Sequence, residues 1–288
     1  MKYSIPLLFL CLSQTVVAHY DPVTEDLSII DAAHPPAIVE LIMPSESQSL
    51  TGLMLLANGP GPHPTIFLLH GYPGNEKNLD LAQTLRRAGF NVVFFHYRGA
   101  WGSQGQYSLF GQAKDVQNVI DHITDRAKEL RVDTTKMSLV GHSMGGFSAL
   151  RTASQDDRVQ CVVGMAAANL GTYANRDQSA REGFSNYTDQ LIMLSGYNGD
   201  KALAEIKQNA SKLDLRTYGS GLKGKRVFLI TGAEDTVVPP DVQASVASAY
   251  REAQIQVQES IIPGDHSFSA TRIMLQRTVL AWLENNCS

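Results

Sequence analysis

Apolar positions along this chain fall into short continuous runs, separated by stretches in which they recur every three or four residues. Residues 65–69, 91–95, 137–140 and 159–166 are runs of the first kind, and 226–231 and 256–262 resume the strand pattern further on. Between them, 76–88, 112–130, 144–154, 240–253 and 269–284 carry helical spacing, as Leu79, Leu81, Ala82 and Leu85 illustrate in the first. A strand apolar at successive positions must be covered on both faces, so strands alternating with helices predict a parallel sheet between two helical layers. Two more β-prone runs, 37–43 and 50–57, flank the polar stretch 44–49 and predict a hairpin at the start of the sheet. The alternation pauses over 169–224, too long for a simple connection. Helical spacing at 189–194 and 201–212 makes this pause an expected helical cap. The reading is an α/β fold: a mostly parallel central sheet, helices on both faces, and a cap insertion at about 169–224. One domain spans 37–288 behind a polar arm at 19–36.

The first 18 residues have a different character. Lys2 supplies a positive start, 5–12 are apolar apart from Pro6, and Val16-Val17-Ala18 ends in small residues. This is the pattern of a secretory signal peptide cut after Ala18, and it predicts export to a periplasm or the medium. The apolar run is well short of the roughly 20 residues a membrane span needs, so no membrane span is expected. Cys11 lies inside that run and is poorly placed for lipid attachment. Cys161 and Cys287 remain, and their spacing in sequence leaves a disulfide between them open.

Composition then excludes whole classes. With 43% hydrophobic and 18% charged residues the chain is neither disordered nor fibrous. A net charge of −4 without a Lys/Arg cluster denies a nucleic acid its electrostatic footprint. Histidines at metal-ligand spacing are missing, so a catalytic metal is not expected, nor is a cofactor.

The sharpest chemical signal is Gly141-His142-Ser143-Met144-Gly145-Gly146, set between an expected strand and an expected helix. Lifting a serine oxygen clear of a sheet demands a turn so sharp that only small residues fit two places either side of it. Serine is a weak nucleophile until a base takes its proton and a third group orients that base. Asp235, in the loop after 226–231, and His266, in the loop after 256–262, are the expected partners of Ser143. The carboxyl ends of parallel strands share one crevice, which puts all three residues on one edge. Glu234 and Asp265 are the neighbouring rivals, the first expected to project elsewhere and the second to cap the final helix. His142 is expected to point away from the nucleophile. The backbone N–H groups of Met144 and of Tyr72, within His70-Gly71-Tyr72-Pro73-Gly74, are expected to hold the oxyanion; Pro73 has no N–H to offer. Arg98, Trp101 and Tyr107 follow the strand at 91–95 and are possible pocket lining. Tyr173, Phe184, Tyr187, Met193 and Tyr197 of the cap are possible pocket walls.

These motifs together resemble the α/β-hydrolase superfamily over about 37–282. The segment Tyr97-Arg98-Gly99-Ala100-Trp101-Gly102-Ser103 is similar to small esterases related to the catalytic domains of prolyl oligopeptidase and acylaminoacyl peptidases. The resemblance implies a serine hydrolase acting on esters, thioesters or amides: a small-molecule acyl ester, or a short peptide. Peptidases of that group carry a β-propeller ahead of the catalytic domain, and the few dozen residues between the expected cut and Pro64 lead us to expect none. Two readings stand beside the esterase. A propeller-less aminopeptidase or acyl-peptide hydrolase would need carboxylates to anchor a peptide terminus, for which Asp189, Asp200, Glu205 and Asp214 are available. A non-catalytic binding protein on the same fold would lack a triad member. Acyl length and oligomeric state do not follow from the sequence.

Overall fold

A computed structural model describes residues 20–288, so the expected signal peptide and Cys11 lie outside the described residues. Eight strands form one sheet in the order β1-β2-β4-β3-β5-β6-β7-β8: β1 (Ala37–Ser45), β2 (Gln48–Leu56), β3 (His63–Leu69), β4 (Asn91–Phe95), β5 (Val132–His142), β6 (Val159–Met165), β7 (Arg226–Gly232) and β8 (Val257–Ile262). β1 pairs antiparallel with β2, and β2 with β4; every other pairing is parallel. The helices are α1 (Leu79–Arg87), α2 (Gln112–Asp125), α3 (Met144–Ala153), α4 (Gln178–Asp189), α5 (Gly199–Asn209), α6 (Pro240–Glu252) and α7 (Arg272–Asn286).

Alternate residues of the central strands feed two separate cores. Phe67 and Leu69 of β3 join Leu139 of β5 under α2, α3 and α6, while Ile66 and Leu68 join Val140 under α1 and α7. This two-sided cover is why the strands read as unbroken apolar runs.

Several boundaries differ from expectation for identifiable reasons. β5 begins at Val132 rather than 137 because a polar, exposed lead (Thr134 to Lys136) precedes its buried part, and Val132 pairs with His63 of β3. The expected six-residue link between β1 and β2 is a two-residue turn at Glu46 and Ser47, with Ser45 paired to Gln48. In the segment between β6 and β7, the helix expected at 189–194 is absent. α4 ends at Asp189, and the chain then runs back against the loop after β4. There Met193 O accepts from Trp101 N, and Ser195 N donates to Gly99 O. Asp177 and Asn198, each accepting a backbone N–H three residues on, start α4 and α5.

At the sheet end opposite the loops that follow β5, β7 and β8, Cys161 of β6 is disulfide-bonded to Cys287, just past α7, closing a separation of 126 residues. The strand order reverses between β3 and β5, and that reversal opens a crevice at their carboxyl ends.

Candidate active site

β3 and β5 run in parallel register with Leu69 opposite Gly141, so the chain leaving β3 passes directly beside the turn that leaves β5. That turn holds Ser143 at φ 56° and ψ −120°, a conformation L-residues adopt only under constraint. The constraint is visible. A Cβ on Gly141 would lie 2.1 Å from Gly145 O, and one on Gly145 would lie 2.1 Å from Leu69 O. Ser143 N donates to Met165 O at 2.8 Å, and Ser143 O accepts from Ala168 N at 3.0 Å, tying the turn to β6 and the loop after it.

The loops after β7 and β8 meet the serine from the other side. Gly232 pairs with Ile262, the last residue of each strand, which delivers Asp235 and His266 to one place. His266 Nε2 lies 2.9 Å from Ser143 Oγ, and His266 Nδ1 lies 2.8 Å from Asp235 Oδ2. The Asp235 carboxylate is fully buried, and its other oxygen accepts from Val237 N and Val238 N, both at 2.8 Å. An acceptor-only carboxylate at Nδ1 puts the ring proton there, which leaves Nε2 as a lone pair facing the serine hydroxyl. Glu234 instead accepts from Gly264 N. Asp265 does not cap the final helix, which starts at Arg272 behind Thr271; it accepts from Ser269 N and Ser269 Oγ, each at 2.8 Å, and so closes its own turn.

His142 turns to the base and makes no hydrogen bond to the serine hydroxyl. Its ring packs 4.8 Å from that of His266, and its Nε2–H donates to His266 O at 2.7 Å, so it holds the backbone of the base. Burial, with His266 beside it, drops its pKa to about 4 and keeps it neutral.

A cleft of about 150 Å³ opens at Ser143, walled by Gly71, Tyr72, Glu76, Tyr187 and His266 among others. Tyr187 was the one wall residue expected from the cap that borders it. Gly71 sits so close that a Cβ there would lie 3.1 Å from the Ser143 Cβ. The N–H groups of Tyr72 and Met144 have no acceptor among the described residues.

The expected lining after β4 needs correcting, because none of Arg98, Trp101 and Tyr107 borders this cleft. Arg98 is turned to the hairpin face, where it bonds Asp115 at 2.7 Å and pairs with Glu46. Trp101 Nε1 donates to Pro73 O at 2.8 Å. Tyr107 is buried one layer behind, its hydroxyl 3.0 Å from Met144 Sδ and its ring 5.9 Å from that of Tyr72. Partners distant in sequence decide all three positions. Glu76, by contrast, escaped the sequence reading: it borders the cleft and accepts from Asn78 N at 2.7 Å. Its place directly after the Gly74-Asn75 turn was the available signal. Among the described residues, no group of three or more His, Cys, Asp or Glu side chains could hold a metal ion.

Fold and site together define an α/β-hydrolase with its serine on a strand-to-helix elbow. Residues 79–288 match the prolyl oligopeptidase family, a family of serine hydrolases, and the chain belongs to it. That span contains Ser143, Asp235 and His266, whereas the loop bearing Tyr72 lies just before it. A 31.7 kDa protein of the traX-finO intergenic region of Escherichia coli is 32% identical over 152 residues, which is 52% of this chain and 50% of the relative. The chain thus spans about half the length of that curated relative. Among solved structures, an esterase of Pyrococcus furiosus superposes with a TM-score of 0.68 at 18% identity, covering 91% of this chain and 98% of the esterase. The acylaminoacyl peptidase of Pyrococcus horikoshii gives 0.67 at 17% identity, covering 88% of this chain and 42% of the peptidase. At these identities the superpositions speak for the fold.

Proposed function

We propose that this protein is a serine hydrolase that cleaves short-chain carboxylic esters through an acyl-enzyme on Ser143, with His266 as base and Asp235 as its orienting partner. The observation that carries the reading is the unbroken chain from Ser143 Oγ to His266 Nε2 at 2.9 Å and from His266 Nδ1 to Asp235 Oδ2 at 2.8 Å. His266 takes the serine proton as Ser143 attacks the acyl carbon, and Asp235 stabilises the imidazolium that forms. The oxyanion sits on the Tyr72 and Met144 N–H groups, where the α3 N-terminus adds its positive dipole end. His266 returns the proton to the leaving alcohol, and water repeats the cycle to release the acid.

Ester is favoured over peptide by what the carboxylates of the β6–β7 segment already do. Glu205 accepts from Leu109 N, Phe110 N and Tyr197 Oη, Asp189 from Gly199 N, and Asp214 is paired with Arg216 and Asn169. Neither they nor Asp200 border the cleft, and Glu76, the carboxylate that does, already accepts from Asn78 N at 2.7 Å. A cleft of about 150 Å³ also suits a short acyl group.

Fluorophosphonate labelling tests the nucleophile: Ser143→Ala is expected to abolish labelling, and retained labelling would falsify the assignment. Rates on p-nitrophenyl esters of graded length against aminoacyl-anilides test the substrate class, with acetate to butyrate esters expected to exceed the anilides. The same reading places the enzyme outside the cytoplasm, supported by the N-terminal pattern over 1–18 and by a disulfide of the kind an oxidising compartment keeps. N-terminal sequencing of the exported protein should begin at His19.

A further inference from the structure

Beneath the loop that carries Tyr72 lie two histidines that the chemistry above does not use. His70 is completely buried, and its Nδ1 lies 2.8 Å from Gly71 O. Its Nε2 lies 3.3 Å from Nδ1 of His96, the residue that follows β4. The hydrogen-bond roles here are forced. A carbonyl only accepts, so His70 Nδ1 carries the proton; His70 Nε2 is then a lone pair, and His96 Nδ1–H must be the donor to it. Burial keeps both rings neutral, His70 falling to about 4 and His96 to about 3, so one tautomer chain runs from His96 through His70 to the Gly71 carbonyl.

That carbonyl is one end of a rigid unit whose other end is the Tyr72 N–H. In a planar trans peptide the two point in opposite directions, so fixing one aims the other. We propose that His96, acting through His70, is a positioning residue that turns the Gly71–Tyr72 peptide so that its N–H faces the oxyanion formed at Ser143. The proposal rests on the serine-hydrolase reading above. Two contacts hold the far side of the same loop. Trp101 stacks on His96 with ring centroids 5.9 Å apart, and its Nε1–H bonds Pro73 O at 2.8 Å. Gly74, at φ +104°, passes so close that a Cβ there would lie 2.7 Å from His70 Nδ1.

The test uses three substitutions in the full chain. His96→Phe keeps the ring and removes the donor. His96→Asn puts an amide N–H where Nδ1–H was, whereas His96→Gln places it near the position of Nε2. Losing a whole oxyanion donor costs roughly 10²–10³ in kcat, and a misaimed one should cost about 10–100-fold. The expected result for His96→Phe is that loss in kcat, with KM within about twofold and a matching rise in the Ki of an alkyl trifluoromethyl ketone, whose hemiketal with Ser143 needs the same donor. His96→Asn should recover most of the loss and His96→Gln little of it; this comparison carries the test alone if the phenylalanine variant does not fold. Unchanged kcat and Ki in His96→Phe, or equal losses in the Asn and Gln variants, would overturn the positioning role. If Ser143→Ala abolishes labelling while these outcomes go against His96, only this inference falls. Labelling that survives Ser143→Ala overturns both.

Discussion

The side chain of Asp235 makes three hydrogen bonds and no contact with water, and each bond has a separate consequence. Asp235→Asn can keep the two backbone bonds, but its amide turned toward His266 donates where an acceptor is needed. The imidazole then carries its proton on Nε2, facing the serine hydroxyl. A fall in kcat of about 10⁴ on p-nitrophenyl acetate is expected, with little change in Tm; a loss under tenfold would remove Asp235 from the mechanism. Ser143 offers a second test. Its backbone strain is worth about 1–3 kcal/mol, against roughly 0.5–1 kcal/mol for the extra chain entropy of glycine. Ser143→Gly should therefore be more stable than Ser143→Ala by about 1 kcal/mol in urea titrations, since both lose the hydroxyl and only one keeps a Cβ. The buried histidines set a pH dependence. His70 and His142, each depressed to about 4 by burial, bind protons more readily unfolded than folded. Their contribution is complete above about pH 6.5 and is lost as pH falls from there toward 4, because the unfolded chain gains the protons first. Urea midpoints taken from pH 7.5 to 4.5 should decline across that window, and His142→Asn should flatten the slope. A midpoint that rises on acidification would contradict the assignment.

At the level of elements, the loop after β3 meets helix α4 through the Tyr72 ring, 5.8 Å from that of Phe184, and through a hydrogen bond from the Tyr72 hydroxyl to Thr188 Oγ1 at 3.0 Å. Burial pushes the phenol pKa of Tyr72 up, so it stays a donor. A double-mutant cycle of Tyr72→Phe and Thr188→Val should show a coupling of about 0.5–1.5 kcal/mol in unfolding free energy, and a coupling near zero would mean this hydrogen bond adds nothing to the ring packing. The elements themselves were unequally legible in the sequence. Central strands announced themselves because both of their faces are buried. The first half of β5 did not, since Thr134 to Lys136 are exposed and carry no apolar signal. α4 was missed because Thr188 is the only residue it buries, leaving no stripe to read. That Ser143, Asp235 and His266 meet was legible because each follows a strand, so topology alone places them near one edge. Arg98 was misread because Asp115 and Glu46, which hold it, are brought near only by folding.

Across the whole molecule, the loops bearing Ser143, Asp235 and His266 occupy one rim of the sheet and the disulfide the other. Joining Cys161 to Cys287 closes a loop of 126 residues, for which chain entropy gives about 4–5 kcal/mol. Cys161→Ser with Cys287→Ser should lower Tm by several degrees and leave kcat at 25 °C within about twofold, because the crosslink and the serine lie at opposite strand ends. A Tm unaffected by dithiothreitol would show that the bond adds nothing to stability. A large fall in kcat would show that the two ends communicate.

The stretch between β6 and β7 is itself divided. Its later part is anchored, with Leu213, Leu215, Tyr218 and Leu222 sunk into the main core and Tyr218 against Phe147 of α3. Its earlier part, α4, contributes little to that core yet supplies Tyr187 to the wall beside the serine. Variation is therefore cheap where it changes which molecules are admitted and costly where it would unseat the scaffold. A lineage, or a designer, can exchange the α4 stretch for a foreign one and so retune selectivity, provided the newcomer still offers the Tyr72 hydroxyl a partner where Thr188 now stands.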